Sequence, residues 1–286
     1  MRFSFVLNVI AQDAGGLAAK LCRLGEVQWL APCAFDIGFD GDPARVLAAA
    51  REAAAGDADT NVVTTAGRRK RLLVSDMEST IIACECLDEL AEIAGIKPEI
   101  AAITERAMRG EIEFAGALRQ RVRLLKGLPV AALERVWAEK VRFIPGAKEL
   151  VATMKAHGAH TLLVSGGFSF FTARVAAATG FDASQSNVLL DDGEVLTGEV
   201  GEPILGREAK LEALEAALTR LGLDASQALA VGDGANDLAM IRRAGLGAAF
   251  HAKPVVAAAA DARIAHNDLK ALLYLQGYRD EEIVPV

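Results

Sequence analysis

The sequence has few aromatic residues, few cysteines and no long apolar run. Aromatic side chains make up 5% of its 286 residues, and alanine supplies much of the 52% apolar content. This composition favours helices packed on a sheet over an all-β fold. No apolar stretch approaches the ~20 residues that cross a bilayer, so a membrane is not an expected partner.

The four cysteines, Cys22, Cys33, Cys84 and Cys86, are scattered and lack the spacing of a zinc site. We therefore expect reduced thiols in a cytoplasmic protein, with Cys84 and Cys86 buried or half-buried. The net charge of −7 argues against a broad basic surface. Nucleic acid is accordingly not an expected partner.

The pattern of apolar and polar residues predicts two domains, 1–68 and 69–286. The first reads as βαββαβ, which suits a small α+β unit with helices on one face of an antiparallel sheet. From residue 72, strands and helices alternate, which predicts an α/β fold with a doubly wound parallel sheet. A helical block at about 84–142 does not fit this alternation. We interpret it as an inserted cap that forms a lid.

Polar clusters follow several of the predicted parallel strands. Because the carboxyl ends of such strands meet at one edge, we expect the clusters to converge. Carboxylates that repel one another are relieved by a hard cation such as Mg²⁺, while a hydroxyl, glycine amides and a lysine suit anionic oxygens. Together they predict a site for a phosphoryl group. The groups are Asp76 and Glu78, Ser165 with Gly166 and Gly167, Lys210, and Asp233 with Asn236 and Asp237.

Each of these features alone has an ordinary explanation. Two acids one residue apart at a strand end are usually a solvated loop. A helical lysine such as Lys210 is usually a solvated partner of acids like Glu208 and Glu212. The order of the clusters along the chain, each at the end of an apolar run, makes coincidence a poor explanation.

The stretches that carry these groups resemble the four motifs of the haloacid dehalogenase superfamily. They are DMEST (76–80), VSGGF (164–168), the lysine of REAKLEAL (207–214) and VGDGANDLAM (231–240). Residues 72 to about 275 are similar to the phosphoserine phosphatases of that superfamily, and the lid segment ERAMRGEIEFAGALRQRVRLLKGLP (105–129) is specific for them. Less specifically, the first 65 residues resemble amino-acid-binding ACT modules.

The resemblance implies roles for the acidic residues. Asp76 would be the nucleophile that forms an aspartyl-phosphate, and Glu78 would be the general acid and base. Mg²⁺ would be held by Asp76, the backbone carbonyl of Glu78 and Asp233. Asp237 would not bind the ion directly but would act through a bound water or by contacting the ligands. The family has aspartate where this chain has Glu78. Glutamate has nearly the same unperturbed pKa but reaches one methylene further, so its backbone or rotamer must adjust.

The resemblance also implies how a substrate is held. The phosphoryl oxygens would contact Ser165, Gly166 and Lys210, steadied by Asn236. In the lid, Glu85 would bind the substrate ammonium and Arg121 its carboxylate, while Met108 and Phe114 would close over it. Without the resemblance, Arg121 in RQRVR would pass for a surface residue.

The implied function is an Mg²⁺-dependent phosphoserine phosphatase that converts O-phospho-L-serine to L-serine and phosphate, the last step of serine biosynthesis. Three alternatives stay open at this point. The chain could transfer the phosphoryl group to another alcohol such as homoserine, act on a different small phosphomonoester, or be a regulatory relative impaired by Glu78. The N-terminal domain could bind serine, form a homodimer or simply pack on the catalytic unit.

Overall fold

A computed structural model describes residues 3–206 and 208–286, apart from the side chain of Met108. Its first part is a four-stranded antiparallel sheet in the order β2-β3-β1-β4, with two helices on one face. The order of elements is the predicted βαββαβ. The likeness to ACT modules and the boundary at residue 68 stay predictions. The elements are β1 (Phe5–Ala11), α1 (Ala14–Leu21), β2 (Val27–Ala31), β3 (Ala34–Phe39), α2 (Pro43–Ala54) and β4 (Ala58–Thr64).

The second part is a six-stranded sheet in the order β12-β11-β10-β5-β6-β7, with every neighbouring pair parallel. The predicted doubly wound sheet is therefore confirmed. Its strands are β5 (Leu72–Ser75), β6 (His160–Phe168), β7 (Ala183–Asn187), β10 (Ala228–Gly232), β11 (Leu246–Phe250) and β12 (Ala262–Ile264), and a separate hairpin contains β8 (Leu189–Asp191) and β9 (Leu196–Val200).

Helices pack on both faces of this sheet, and four more form the predicted insertion. The insertion contains α3 (Cys86–Ala94), α4 (Lys97–Met108), α5 (Phe114–Arg123) and α6 (Ala131–Glu139). The others are α7 (Ala147–Ala156), α8 (Ser169–Thr179), α9 (Ala209–Leu221), α10 (Leu238–Arg243), α11 (Pro254–Ala257) and α12 (Ala271–Leu275). In the described ranges no helix is both long enough and apolar enough to cross a membrane.

Sequence pattern alone did not identify α7, α11, α12, β7 or β12. The reason for β7 is its composition, ASQSN, because an edge strand with exposed side chains lacks the apolar run of a buried parallel strand. Strand β12 is only three residues long. Helix α9 begins at Ala209, not at the predicted residue 206, and Arg207 lies outside the described residues.

The lid is joined to the sheet domain by two crossing segments. The chain leaves through Ile82 and Ala83 and returns through Arg142 and Phe143. The amide of Ala83 donates to the carbonyl of Arg142 at 2.9 Å, and Ile82 forms an isolated antiparallel bridge with Phe143. This short ribbon holds the four lid helices beside the carboxyl ends of β5 and β6.

The first sheet packs on the catalytic unit with the face that its own helices leave free. Val6 and Ile10 contribute to the core shared with the second sheet, while Leu7 and Val9 contact α1 and α2. Between Val6 and Ile10, Asn8 donates to Asp36 at 2.9 Å and to the carbonyl of Tyr274 at 3.2 Å. Packing of the N-terminal part is thus observed, while serine binding and dimerisation stay predictions.

Asp59 accepts several hydrogen bonds at the junction between the two parts. Its buried carboxylate accepts the amides of Ala265 at 2.7 Å, His266 at 3.2 Å and Asn267 at 3.1 Å, and the side-chain amide of Asn267 at 2.8 Å. One side chain of β4 therefore accepts hydrogen bonds from the backbone amides of the turn after β12. Packing between the two parts depends on this polar contact as well as on apolar area.

We predict that Asp59→Ala lowers the free energy of unfolding by at least about 1–3 kcal/mol, because it leaves several buried amides without an acceptor. Urea denaturation followed by circular dichroism measures the change. The control is Asp57→Ala, since Asp57 is exposed. Equal stabilities of the two variants would contradict the structural role of Asp59.

Candidate active site

Three aspartates meet where β5 and β10 end. These strands are adjacent and parallel, with Ser75 paired to Val231, and the amide of Asp76 donates to the carbonyl of Val231 at 3.0 Å. Asp233 follows β10, and a single 3₁₀ turn brings Asp237 back to the same point. One carboxylate oxygen from each aspartate lies within 4.8 Å of the others. The predicted convergence of Asp76, Asp233 and Asp237 is therefore observed.

Lys210 is the cation at the centre of this cluster. It lies in the first turn of α9, is only 3% exposed, and places Nζ 2.7 Å from Oδ1 of Asp76 while also donating to Oδ1 of Asp237. Burial alone would lower the pKa of Lys210, but the two carboxylates outweigh it and raise that pKa. The lysine is charged at neutral pH, and the explanation of a solvated helical lysine is wrong.

The aspartates differ in which oxygens are already used. Oδ2 of Asp237 accepts the amides of Asp233 at 3.1 Å and Gly234 at 2.9 Å, and its Oδ1 accepts Lys210. Oδ1 of Asp76 accepts the amide of Met77 at 2.7 Å. Across residues 3–206 and 208–286, no other residue donates a hydrogen bond to Oδ2 of Asp76 or to the carboxylate of Asp233. These are the oxygens left for a ligand, whereas Asp237 is engaged in orienting the site.

The charges of the cluster are unbalanced. Burial raises the pKa of Asp76 to about 7, with Lys210 opposing the rise and Asp237 adding to it. Burial also raises the pKa of Asp233, and Asp237 contributes. Three carboxylates share one buried lysine, and among the described residues only the exposed Lys253 adds positive charge near Asp233. Oxygen donors of this kind suit a hard divalent cation. The residues therefore fit a metal of the Mg²⁺ type.

The glycine-containing end of β6 forms the opposite wall. The hydroxyl oxygen of Ser165 accepts the amide of Gly167 at 2.9 Å, so the hydroxyl hydrogen remains available to a ligand. Ser165, Gly166, Lys210, Asn236 and the lid residue Phe114 line one small pocket. A Cβ placed on Gly166 would lie 3.4 Å from the Phe114 ring, so the lid closes directly on this wall.

Sequence reasoning missed Asn187. This buried residue at the end of β7 donates to the carbonyl of Gly166 at 2.9 Å and accepts the amide of Leu205 at 2.8 Å. It joins the glycine loop, residues 165–167 at the end of β6, to the segment before α9. It therefore orients the peptide beside Ser165. A polar residue just before the apolar VLL was the available signal, but its strand was itself not recognised.

Glu78 and Glu85 lie where the lid begins. Burial raises the pKa of Glu78 to about 8, and the charge of Glu85 adds to the rise. Oε1 of Glu78 accepts the amide of Cys86 at 2.7 Å, and Glu85 accepts the hydroxyl of Ser79 at 2.8 Å. Burial raises the pKa of Glu85 as well, while the Ser79 hydroxyl opposes that rise. Glu78 therefore holds a proton more tightly than an exposed glutamate does.

Arg121 points inward from α5 rather than into solvent. Burial lowers the pKa of its guanidinium, and the charges of Asp88, Glu78 and Glu85 oppose that fall. The lid therefore presents a cation and an acid, Arg121 and Glu85, on the side that faces Glu78. The predicted position of the Met108 side chain lies outside the described residues. The roles of all these residues in binding stay predictions.

The thiols behave as predicted. All four cysteines are free, with Cys84 half-buried and Cys86 buried, and Cys22 is exposed. Neither thiol of the lid takes part in the cluster of three aspartates.

Comparison with known proteins places these residues in a family. The family model for haloacid dehalogenase-like hydrolases matches residues 73–242. A phosphoserine phosphatase of Albidiferax ferrireducens is 48% identical over 211 residues, which cover 72% of this chain and 89% of that protein. A phosphoserine phosphatase of Archaeoglobus fulgidus is 46% identical over 209 residues, 73% of this chain but only 60% of that longer protein.

A solved structure matches nearly the whole chain. A probable phosphoserine phosphatase from Vibrio cholerae, in unliganded form, superimposes with a TM-score of 0.81 at 30% identity and covers 96% of this chain and 87% of that one. The N-terminal sheet and the catalytic unit therefore occur together in a related protein.

We predict that Lys210→Met lowers the free energy of unfolding in EDTA by about 3–5 kcal/mol, because it leaves buried carboxylates without their cation. Denaturation with urea measures the loss, and adding a divalent cation should recover part of it. Lys97→Met is the control, since Lys97 pairs with Glu92 in an exposed position and should leave stability close to that of the parent. Equal stabilities of the two variants would show that Lys210 does not balance the cluster.

Proposed function

Because the chain belongs to the haloacid dehalogenase-like hydrolase family, we propose that it is an Mg²⁺-dependent phosphoserine phosphatase acting in the cytoplasm at the end of serine biosynthesis. One observation carries the proposal. Lys210 contacts Asp76 and also lines the pocket formed by Ser165 and Gly166. A phosphoryl group in that pocket would lie between the hydroxyl, the lysine and the free oxygen of Asp76.

In this proposal Asp76 is the nucleophile. Its Oδ2 attacks phosphorus, the bond from phosphorus to the serine oxygen breaks, and an aspartyl-phosphate forms, which divides one difficult step into two easier ones. Oδ1 stays held by Lys210 and the amide of Met77, so the attacking oxygen has a fixed direction. Lys210 and the Ser165 hydroxyl hold the phosphoryl oxygens during the transfer.

A magnesium ion, when bound, supplies charge neutralisation at the phosphoryl oxygens and lowers the pKa of Asp76. Asp76, Asp233 and the backbone carbonyl of Glu78 would hold it. Asp237 supports this set by fixing the amides of Asp233 and Gly234 and the Lys210 ammonium. The unbalanced charge of the three aspartates is the reason to expect a cation here.

Glu78 is the proposed general acid and base. With its pKa raised to about 8, it carries a proton at neutral pH and can give that proton to the leaving serine oxygen. It then takes a proton from the water that hydrolyses the aspartyl-phosphate. In this proposal the glutamate does the work of the family's aspartate, and the chain is an active enzyme rather than an impaired relative.

The lid would recognise the amino acid part of the substrate. Glu85 would bind the ammonium and Arg121 the carboxylate, while Phe114 would exclude water above the phosphoryl group. Binding both charges of the zwitterion distinguishes phosphoserine from sugar phosphates and simple phosphomonoesters. The relatives named phosphoserine phosphatase support this choice of substrate.

We predict phosphate release from O-phospho-L-serine with Mg²⁺ and none with EDTA. In a panel with phosphothreonine, ethanolamine phosphate and sugar phosphates, phosphoserine should have the highest kcat/KM. Asp76→Asn should release no phosphate above background, because the amide cannot form the intermediate. Preference for a sugar phosphate would contradict the proposed substrate, and activity of Asp76→Asn would contradict the proposed nucleophile.

We predict that Arg121→Gln raises KM for phosphoserine about 10–100-fold, because a charged hydrogen-bonded pair contributes about 1.5–3 kcal/mol. Its effect on ethanolamine phosphate, which has no carboxylate, should be small. The control is Arg123→Gln, since Arg123 is an exposed arginine on the same helix. Steady-state kinetics of the parent and the two variants with both substrates decide whether Arg121 binds the carboxylate.

A further inference from the structure

Glu78 and Ser79 contact the start of the first lid helix. Both belong to the loop of residues 76–80 that follows β5, called here the catalytic loop. Oε1 of Glu78 accepts the amide of Cys86 at 2.7 Å, and the Ser79 hydroxyl donates to Glu85 at 2.8 Å. Ser79 has a φ of 56°, so the loop turns sharply between the nucleophile and these contacts. The residues that follow Asp76 are therefore linked by side chains to the lid.

The amide held by Glu78 belongs to a helix end with no local cap. Helix α3 begins at Cys86, and its N-cap residue, Glu85, makes no side-chain capping hydrogen bond. The first amides of a helix lack partners within the helix and need an acceptor from elsewhere. Glu78 supplies that acceptor from eight residues earlier in the chain.

The length of the glutamate side chain makes this contact possible. Aspartate would end about 1.5 Å earlier, which would stretch a 2.7 Å hydrogen bond beyond the ordinary range. The helix start is not free to follow, because Ile82 donates to the carbonyl of Met77 at 3.0 Å and Ala83 to that of Arg142 at 2.9 Å. Both ends of the contact are therefore held by backbone hydrogen bonds.

The glycine loop provides the room for the longer side chain. A Cβ placed on Gly167 would lie 2.8 Å from Oε2 of Glu78, closer than carbon atoms of this kind approach oxygen. Glu78 thus sits between the start of α3 and a residue without a side chain. Its two oxygens have different surroundings, one bound to the lid and the other beside the loop of Ser165.

We propose that Glu78 is a latch that fastens the lid helix α3 to the catalytic loop, and that glutamate at this position couples lid order to placement of the acid. Its part in proton transfer rests on the proposed function, whereas the latch rests on the contact with Cys86 alone. Shortening the side chain should loosen the lid, whereas replacing its carboxyl group by an amide of the same length should not. These two properties can be separated by substitution.

Glu78→Gln and Glu78→Asp provide the separation. Glutamine keeps the length and an oxygen acceptor but loses the acid, whereas aspartate keeps the acid but loses the reach. Hydrogen exchange at the Cys86 amide, followed by NMR or by mass spectrometry of short peptides from α3, reports the latch. Steady-state hydrolysis of phosphoserine reports the chemistry. Glu92→Asp is the matched control, since Glu92 is an exposed glutamate of the same helix paired with Lys97.

We expect exchange at Cys86 about tenfold or more faster in Glu78→Asp, and close to the parent rate in Glu78→Gln and Glu92→Asp. Hydrolysis should be affected in the opposite order, with Glu78→Gln the more impaired variant. Its kcat should be about 10²–10⁴-fold lower, whereas Glu78→Asp should show a rise in KM. Unchanged exchange in Glu78→Asp, or equal acceleration in both Glu78 variants, would overturn the latch.

Gly167→Ala tests the same contact without altering Glu78. The added methyl group should displace the Glu78 carboxylate and accelerate exchange at Cys86, and the double variant Glu78→Asp, Gly167→Ala should exchange no faster than Glu78→Asp alone. Additive acceleration would overturn the proposal. If the parent protein released no phosphate from phosphoserine, the proposed function would fail while the exchange measurements would still decide on the latch.

Discussion

The active site depends on one buried lysine that contacts two buried carboxylates. Lys210 comes from a helix, Asp76 from the end of β5 and Asp237 from the turn after β10, so a single ammonium joins three parts of the second sheet domain. It only partly balances the acids around it. The remaining negative charge makes the site suitable for a divalent cation, and the carboxylate of Asp233, which no other residue in the described ranges engages, is available to hold one.

Because Lys210 and the backbone amides engage some carboxylate oxygens and leave others free, the aspartates have different roles. Asp237 has every oxygen engaged by amides and lysine, so it orients its neighbours, whereas Asp76 keeps one oxygen unused. The glycine loop after β6 is oriented in turn by Asn187, which lies two strands away from Asp76 in the sheet. A rigid surround of this kind holds reacting groups in place before a substrate arrives.

The lid is connected to the same centre by side chains as well as by its hinge. Glu78 and Ser79 contact the first residues of α3, and Phe114 lies against Gly166. In the proposed function, the lid binds the ammonium and carboxylate of the substrate, and the edge of the sheet carries out phosphoryl transfer. Glu78 contacts both regions through its hydrogen bond to Cys86, so under our proposal it links the order of the lid to the chemistry.

The sequence determined the main outline of this protein. Near-continuous apolar runs alternating with helical patterns predicted the parallel sheet, and the periodicity of apolar residues predicted the helical insertion and the order of the first six elements, because burial dictates those patterns. Parallel strands ending in polar clusters predicted that Asp76, Ser165, Lys210 and Asp233 would meet. Edge strand β7 was missed because it is polar, and Asn187 was missed with it. Only the tertiary structure decided that Lys210 is buried, that Arg121 faces inward and that Glu78 reaches the Cys86 amide. Those facts depend on the distance and burial of groups far apart in sequence, which local pattern does not encode.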